Sequence, residues 1–238
     1  MGATLSEKPL GSKAYGSIGH LPNSRLGPGD HSVTDGQARI ATMKARDKND
    51  RVYVQEKLDG SCCAVALLNG ELIPLGRAGY RALTSNYEMH KHFHNWVMLN
   101  EAKFREILHE RERIVGEWLM QAHGTTYDLT GRDPFVAFDI MRDGHSRMPV
   151  EDFLSRVDGA FSTPHLIASE PIPVEEAMAR LGEFGFYGAT EPVEGAMWRV
   201  ERNGKVDFLC KFVRPDKVDG KYLNGEPVWN LHPSQLWG

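Results

Sequence analysis

Two Asn-Gly dipeptides, each between apolar runs, constrain the fold of this chain more than any other feature. Asn69-Gly70 separates residues 62–68 from 71–75, and Asn203-Gly204 separates 193–200 from 205–213. Asparagine followed by glycine readily adopts the two positive φ angles of a type I′ turn, whose twist matches that of paired antiparallel strands. Each segment is therefore expected to be a hairpin. Residues 52–56, 114–120 and 135–141 add three more strands, the last behind the turn-forming Gly131-Arg132-Asp133-Pro134. Residues 86–111 carry Met89, Phe93, Trp96, Val97, Phe104 and Leu108 at near-helical spacing, which predicts one or two helices. Residues 149–156 begin a helix with proline in the first turn. A further helix is expected over 174–184, closed by Gly185. Hairpins with interspersed helices predict an α+β fold of antiparallel sheets with flanking helices. There is no βαβ alternation and no Gly-x-Gly-x-x-Gly, which argues against a dinucleotide-binding fold.

The 238 residues suffice for one large domain with its own core. Residues 1–48 are expected to form an arm wrapping a domain of 49–238. The arm's first thirty residues are rich in Gly, Pro and Ser, including Leu26-Gly27-Pro28-Gly29-Asp30, and 33–48 show no clear period. In the tail after Pro215, the apolar Trp229, Leu231, Leu236 and Trp237 are expected to dock back on the domain. Net charge is −4, which speaks against broad, non-specific grip on nucleic acid, while 28 Lys and Arg leave room for a local basic groove. Three cysteines form neither a disulfide framework nor a zinc site and point to a reduced, cytoplasmic protein. On a strand, the adjacent Cys62 and Cys63 must face opposite sides. The apolar runs are too short for a membrane helix, and the first residues lack the pattern of a signal peptide.

The chemistry centres on Glu56-Lys57-Leu58-Asp59-Gly60-Ser61, directly after the strand over 52–56. A lysine at a strand end, followed by Asp two residues on and then Gly, suits covalent chemistry on a phosphate. The plain alternative is a turn with a solvated lysine. This Lys-x-Asp-Gly stretch resembles motif I of the nucleotidyltransferase superfamily, which holds the ATP-dependent DNA and RNA ligases and the mRNA capping enzymes. Its wording is most similar to the RNA ligase 2 type. Five further segments resemble the superfamily's motifs in their order: Gly76-Arg77-Ala78-Gly79-Tyr80, Gly116-Glu117-Trp118 (motif III), Phe135 to Ile140 around Phe138 (motif IIIa), Val193-Glu194-Gly195 (motif IV) and Leu209-Cys210-Lys211 (motif V).

The resemblance implies a nucleotidyltransferase domain acting as an ATP-dependent RNA ligase in RNA repair, with ATP and Mg²⁺ as cofactors and RNA 5′-phosphate and 3′-hydroxyl ends as partners. It implies that Lys57 is the nucleophile, forming lysyl-AMP, and that Asp59 orients its loop. Gly60 then admits the nucleotide, Glu117 accepts from the ribose, Phe138 stacks on adenine and Glu56 lies at the base edge. Lys211 contacts phosphate, Arg77 meets the incoming strand's phosphate and Glu194 holds the metal. Lys57 attacks only as a neutral amine, so its pKa is expected to fall, through partial burial and the nearby Lys211 or a metal.

Two features depart from the family pattern. Motif V usually has two lysines one residue apart, but here Leu209 and Val213 flank Lys211, and Arg214 falls on the opposite strand face. Arg214-Pro215-Asp216-Lys217 looks like motif VI of DNA ligases and capping enzymes, but it follows motif V directly and is taken as a strand exit. Without a C-terminal OB domain, a DNA nick ligase or capping enzyme is disfavoured. The candidates for gripping RNA are the N-terminal arm and the basic side chains Arg81, Lys91, Lys103 and Arg105. His90 and His94 share a helix face with no third ligand in sight, so they are read as helix-surface residues first, then as contacts to phosphate or RNA, and last as metal ligands. The competing reading of the whole is a module that binds nucleotides or RNA ends without turnover, a reading kept open by the incomplete motif V.

Overall fold

Both Asn-Gly turns form as their sequence requires. Asn69 and Gly70 have φ of 52° and 76°, and Asn203 and Gly204 have φ of 50° and 69°. The computed structural model describes residues 8–142 and 144–237. Its strands are β1 (Gly19–His20), β2 (Asp50–Lys57), β3 (Ser61–Leu68), β4 (Glu71–Gly76), β5 (Arg113–Trp118), β6 (Phe135–Arg142), β7 (Ser146–Arg147), β8 (Leu166–Ala168), β9 (Gly195–Arg202) and β10 (Lys205–Val213). They form two five-stranded sheets, ordered β1-β10-β9-β2-β8 and β4-β3-β5-β6-β7. All pairings are antiparallel except that of β1, which adds to β10 in parallel. Five helices flank the sheets: α1 (Asp35–Thr42), α2 (Glu88–Leu99), α3 (Glu101–Ile107), α4 (Val150–Val157) and α5 (Val174–Leu181). The α+β architecture is the one expected from the hairpins.

Some boundaries differ from the sequence reading. Helix α5 stops at Leu181 because Gly182 takes φ of 67°, so Gly182 and not Gly185 closes it. Strand β5 ends at Trp118, short of residue 120, and β9 begins only at Gly195. Helix α1 lies where no period is visible, started by a capping box between Thr34 and Gln37.

The first core packs Val52, Val54, Trp198 and Val200 of the first sheet with Ala38 and Ala41 of α1 and Ala177 and Leu181 of α5. The second packs Phe93, Trp96 and Phe104 on Trp118, Phe135 and Phe153. A third lies on the other face of the second sheet, where Ala64, Ala66, Leu75 and Val115 meet Ala14 and Tyr15 from the arm. Trp229, Leu231 and Leu236 of the tail pack against the second core, as expected, while the side chain of Trp237 lies outside the described residues. The buried Asp139 of β6 ties the two sheets together. It accepts from Arg199 of β9 at 2.7 Å, and from Arg147 and the Tyr15 hydroxyl at 3.0 Å each. Among the described residues, no helix is long and apolar enough to cross a membrane.

Candidate active site

The register of β2 on β9 sets Lys57 opposite Gly195, and the residue before Gly195 is Glu194. A Cβ at Gly195 would overlap the Phe212 carbonyl of β10, so glycine lets these strands close up beside the lysine. The Lys57 ammonium then lies 2.6 Å from the Glu194 carboxylate. The chain turns from β2 to β3 through Asp59 and Gly60. A Cβ at Gly60 would sit 2.5 Å from the Trp118 carbonyl, so this glycine is required by the protein's own backbone as well as by any nucleotide. Its N–H donates to Glu117 Oε1 at 3.0 Å, which fixes Glu117 under the loop. Asp59 Oδ2 accepts from the Gly124 N–H at 2.9 Å and from Lys217 Nζ at 2.7 Å, and the Asp59 N–H donates to the Tyr127 hydroxyl.

Electrostatics in this cluster run against one expectation. Burial pulls the Lys57 pKa down, but the charges of Glu194, Glu117 and Asp59 outweigh it and hold Lys57 well above the usual lysine range. The ligand-free protein therefore keeps its candidate nucleophile as an ammonium, because the carboxylates around it outweigh burial and the nearby Lys211. Burial pushes Glu117 up to about 7, with Glu194 and Asp59 adding to the rise and Lys57 opposing it. Glu194 is also raised, first by burial. Lys211 is lowered by burial and by the charge of Lys57.

A cavity of about 880 Å³ opens between the two sheets, and all nine site residues expected from the sequence line it: Glu56, Lys57, Asp59, Gly60, Arg77, Glu117, Phe138, Glu194 and Lys211. Phe138 is half-buried and meets the Tyr15 ring edge-on at 5.3 Å. Arg77 is exposed after β4 and, among the described residues, its side chain reaches only the Gly16 carbonyl, at 3.4 Å. Glu56 turns its carboxylate to the Phe186 N–H at 3.2 Å, so it braces that loop. Arg214 points away to the Val193 carbonyl and Asp216, as strand alternation requires. Cys62 faces the cavity while Cys63 is buried in the second core.

A family model described as RNA ligase matches residues 50–213. This chain belongs to the RNA ligase family. Among solved structures it is similar to an archaeal ATP-dependent RNA ligase (25% identity, 69% of this chain and 42% of that one, TM-score 0.49). It is also similar to the Naegleria gruberi RNA ligase, as an apo mutant (14% identity, 86% and 57% covered, TM-score 0.53) and as a mutant with ATP and Mn (16% identity, 87% and 61% covered, TM-score 0.52). The Naegleria likeness establishes a shared fold. The chain spans 42% of the archaeal ligase's length and about three-fifths of the Naegleria protein's. No curated protein matches the chain.

The RNA ligase match ends before Lys217 and begins after the arm, and both contribute to the site. Lys217, taken from sequence as part of a strand exit, is buried and holds Asp59, with Thr125 as its second partner. Its signal was the ionic residue in Arg214-Pro215-Asp216-Lys217, set aside because the segment sits too near motif V. From the arm, Asp30 lies 3.9 Å from Lys211 and 3.2 Å from His20, whose strand β1 pairs with Cys210 and Lys211. His90 is not a surface residue. Its ring nitrogens bond Ser61 at 2.9 Å and Ser85 at 2.8 Å beneath the cavity. The four basic residues considered for gripping RNA all carry carboxylate partners: Arg81 with Glu71, Lys91 with Glu88, Lys103 with Asp133 and Arg105 with Glu101. They do not make a free positive face.

Proposed function

We propose that this protein is an ATP-dependent RNA ligase that joins 5′-phosphate and 3′-hydroxyl ends through lysyl-AMP on Lys57. The observation that carries this reading is the strand-end lysine in a cavity, 2.6 Å from a carboxylate, with Glu117 and Lys211 on the same walls. Lys57 first gives up a proton to solvent. Its neutral Nζ then bonds the α-phosphorus of ATP, the bond from that phosphorus to the pyrophosphate oxygen breaks, and the nitrogen's second proton leaves to solvent with the pyrophosphate. An oxygen of an RNA 5′-phosphate next attacks the same phosphorus and releases Lys57, leaving AMP joined to the strand through a pyrophosphate. A 3′-hydroxyl then attacks the strand's own phosphorus and AMP departs.

The donor set fits a divalent cation of the Mg²⁺ class held by Glu194, an anionic oxygen ligand already bound to a positive charge. Among the described residues no three His, Cys, Asp or Glu gather as a cage. That suits an ion which keeps waters and shares phosphate oxygens. When bound, such an ion supplies positive charge to the phosphate oxygens. With Glu194 shared in this way, burial and the Lys211 charge act on Lys57 with less opposition and favour its neutral amine. Phe138 faces the base, Glu117 accepts from the ribose, Lys211 binds phosphate and Arg77 receives the incoming strand. Asp59 and Lys217 hold the loop that carries Lys57. The three unpaired cysteines fit a reducing, cytoplasmic setting.

Incubation with α-labelled ATP and Mg²⁺ tests this directly. Acid-labile label that survives denaturation is expected on the wild type and not on Lys57→Ala. No label from ATP, GTP or NAD on the folded wild type would overturn the ligase reading and leave a nucleotide- or RNA-end-binding module.

A further inference from the structure

The lining of the cavity includes, besides Lys57 and Ser61, a tyrosine lobe made of Tyr80, Arg81, Thr84, Ser85, Tyr87 and His90. Its floor is polar, with His90 tied to both serines. Its rim is aromatic and open to solvent: Tyr80 is 44% exposed and Tyr87 is 65% exposed. Neighbours steady both rings. The Lys8 ammonium lies 4.8 Å from the Tyr80 ring centre, and Tyr87 meets His90 edge-on at 5.8 Å. Arg77 borders the same lobe and, among the described residues, forms no ion pair.

Two exposed tyrosines beside Arg77, on the wall of a cavity that holds a candidate nucleophile for phosphate, fit a polyanion with flat apolar faces. Single-stranded nucleic acid has that chemistry, since its unpaired bases are free to stack on aromatic side chains. A nick in a duplex keeps its bases stacked inside the helix and offers mainly phosphates. The surface is poorly suited to that, with a net charge of −4 and Arg81, Lys91, Lys103 and Arg105 already paired. We infer that this lobe seats the 5′ end of an unpaired RNA strand, with Tyr80 and Tyr87 stacking on its terminal bases, so that single-stranded ends are preferred over nicks.

The inference rests on the ligase reading, and the test separates the two. Wild type, Tyr80→Ala/Tyr87→Ala and Tyr80→Phe/Tyr87→Phe are each labelled on Lys57 with α-labelled ATP. The label is then chased onto a 5′-phosphorylated single-stranded RNA or onto the same sequence placed at a nick. Labelling of Lys57 reports the ligase reading alone. For transfer, the wild type is expected to show a lower KM for the single strand. The alanine pair should raise that KM roughly tenfold or more, and the phenylalanine pair should restore it, because stacking needs the ring and not the hydroxyl. Lys57 labelling with an unchanged KM in the alanine pair, or a wild-type preference for the nick, would overturn the inference while the ligase reading stands. Sedimentation that shows the tyrosines buried in a self-association, lost in the alanine pair, would overturn it too.

Discussion

Asp139 and Lys57 each stand at the centre of a buried charged cluster between the sheets, and the two clusters differ in what is left unmatched. Around Asp139, both carboxylate oxygens are taken: one by Arg199, the other by Arg147 and the Tyr15 hydroxyl. No cavity is needed to complete it. Around Lys57 the carboxylates of Glu194, Glu117 and Asp59 gather beside a cavity. Burial raises Glu194 and Glu117 as it raises Asp139, but among the described residues Glu117 forms no ion pair. Closely similar ion-pair distances, 2.7 Å and 2.6 Å, thus serve different ends. The first cluster closes the fold. The second leaves carboxylate charge over, which suits the proposed role of receiving a cation and freeing a lysine.

The largest effect expected on stability comes from breaking the closed cluster. Asp139→Ala leaves Arg199 buried without its anion, and removal of one partner from such a pair costs about 3–5 kcal/mol. Denaturant unfolding should show that loss. Combining it with Arg199→Met should recover part of it, because the stranded charge is gone. A loss below about 1 kcal/mol would mean that the cluster does not bind the sheets together.

Lys217→Met comes next and probes the link between the site and its support. Asp59 keeps the Gly124 N–H but loses its ammonium partner, a change of about 1–3 kcal/mol. Because Asp59 and Lys57 share one turn, single-turnover adenylylation should slow more than KM for ATP rises. Lys217→Arg should restore part of the rate by returning a cation to Asp59. Equal stability loss with unchanged adenylylation would make Lys217 a purely structural residue.

Lys217 also marks the limit of what the sequence makes legible. The Asn-Gly turns, the strand-end Lys57 and the order of the later motifs are local signals, and local backbone preference carries them into the observed sheets. The nine expected site residues meet in one cavity because strand register does the rest. Contacts made by irregular chain are invisible in that way. Lys217 reaches Asp59 from beyond β10, Asp30 reaches Lys211 from the arm, and neither position has a periodicity to announce it. The environment of His90 is hidden for a related reason: its helix spacing is plain, but its partners Ser61 and Ser85 come from other segments. The direction of the Lys57 pKa was also hidden, since it depends on how many carboxylates the fold brings near, not on the lysine's own neighbours in sequence.

Glu117→Gln carries an effect of opposite sign, present only at higher pH. Glu117 titrates near 7 in the folded protein, against an ordinary 4.5. Between those values the folded chain binds more protons at this position than the unfolded chain, so the wild type loses stability as pH rises from about 4.5 to about 7. Above that window the folded protein holds an ionised carboxylate at a net cost. Glutamine keeps an oxygen to accept the Gly60 N–H and removes the charge. The variant should therefore be more stable than wild type by about 1–3 kcal/mol near pH 8, with the difference shrinking toward zero near pH 4. Thermal melts across that range are the check. A stability difference that does not change with pH would mean that ionised Glu117 carries no net cost in the fold, and the contrast between the two clusters would fall.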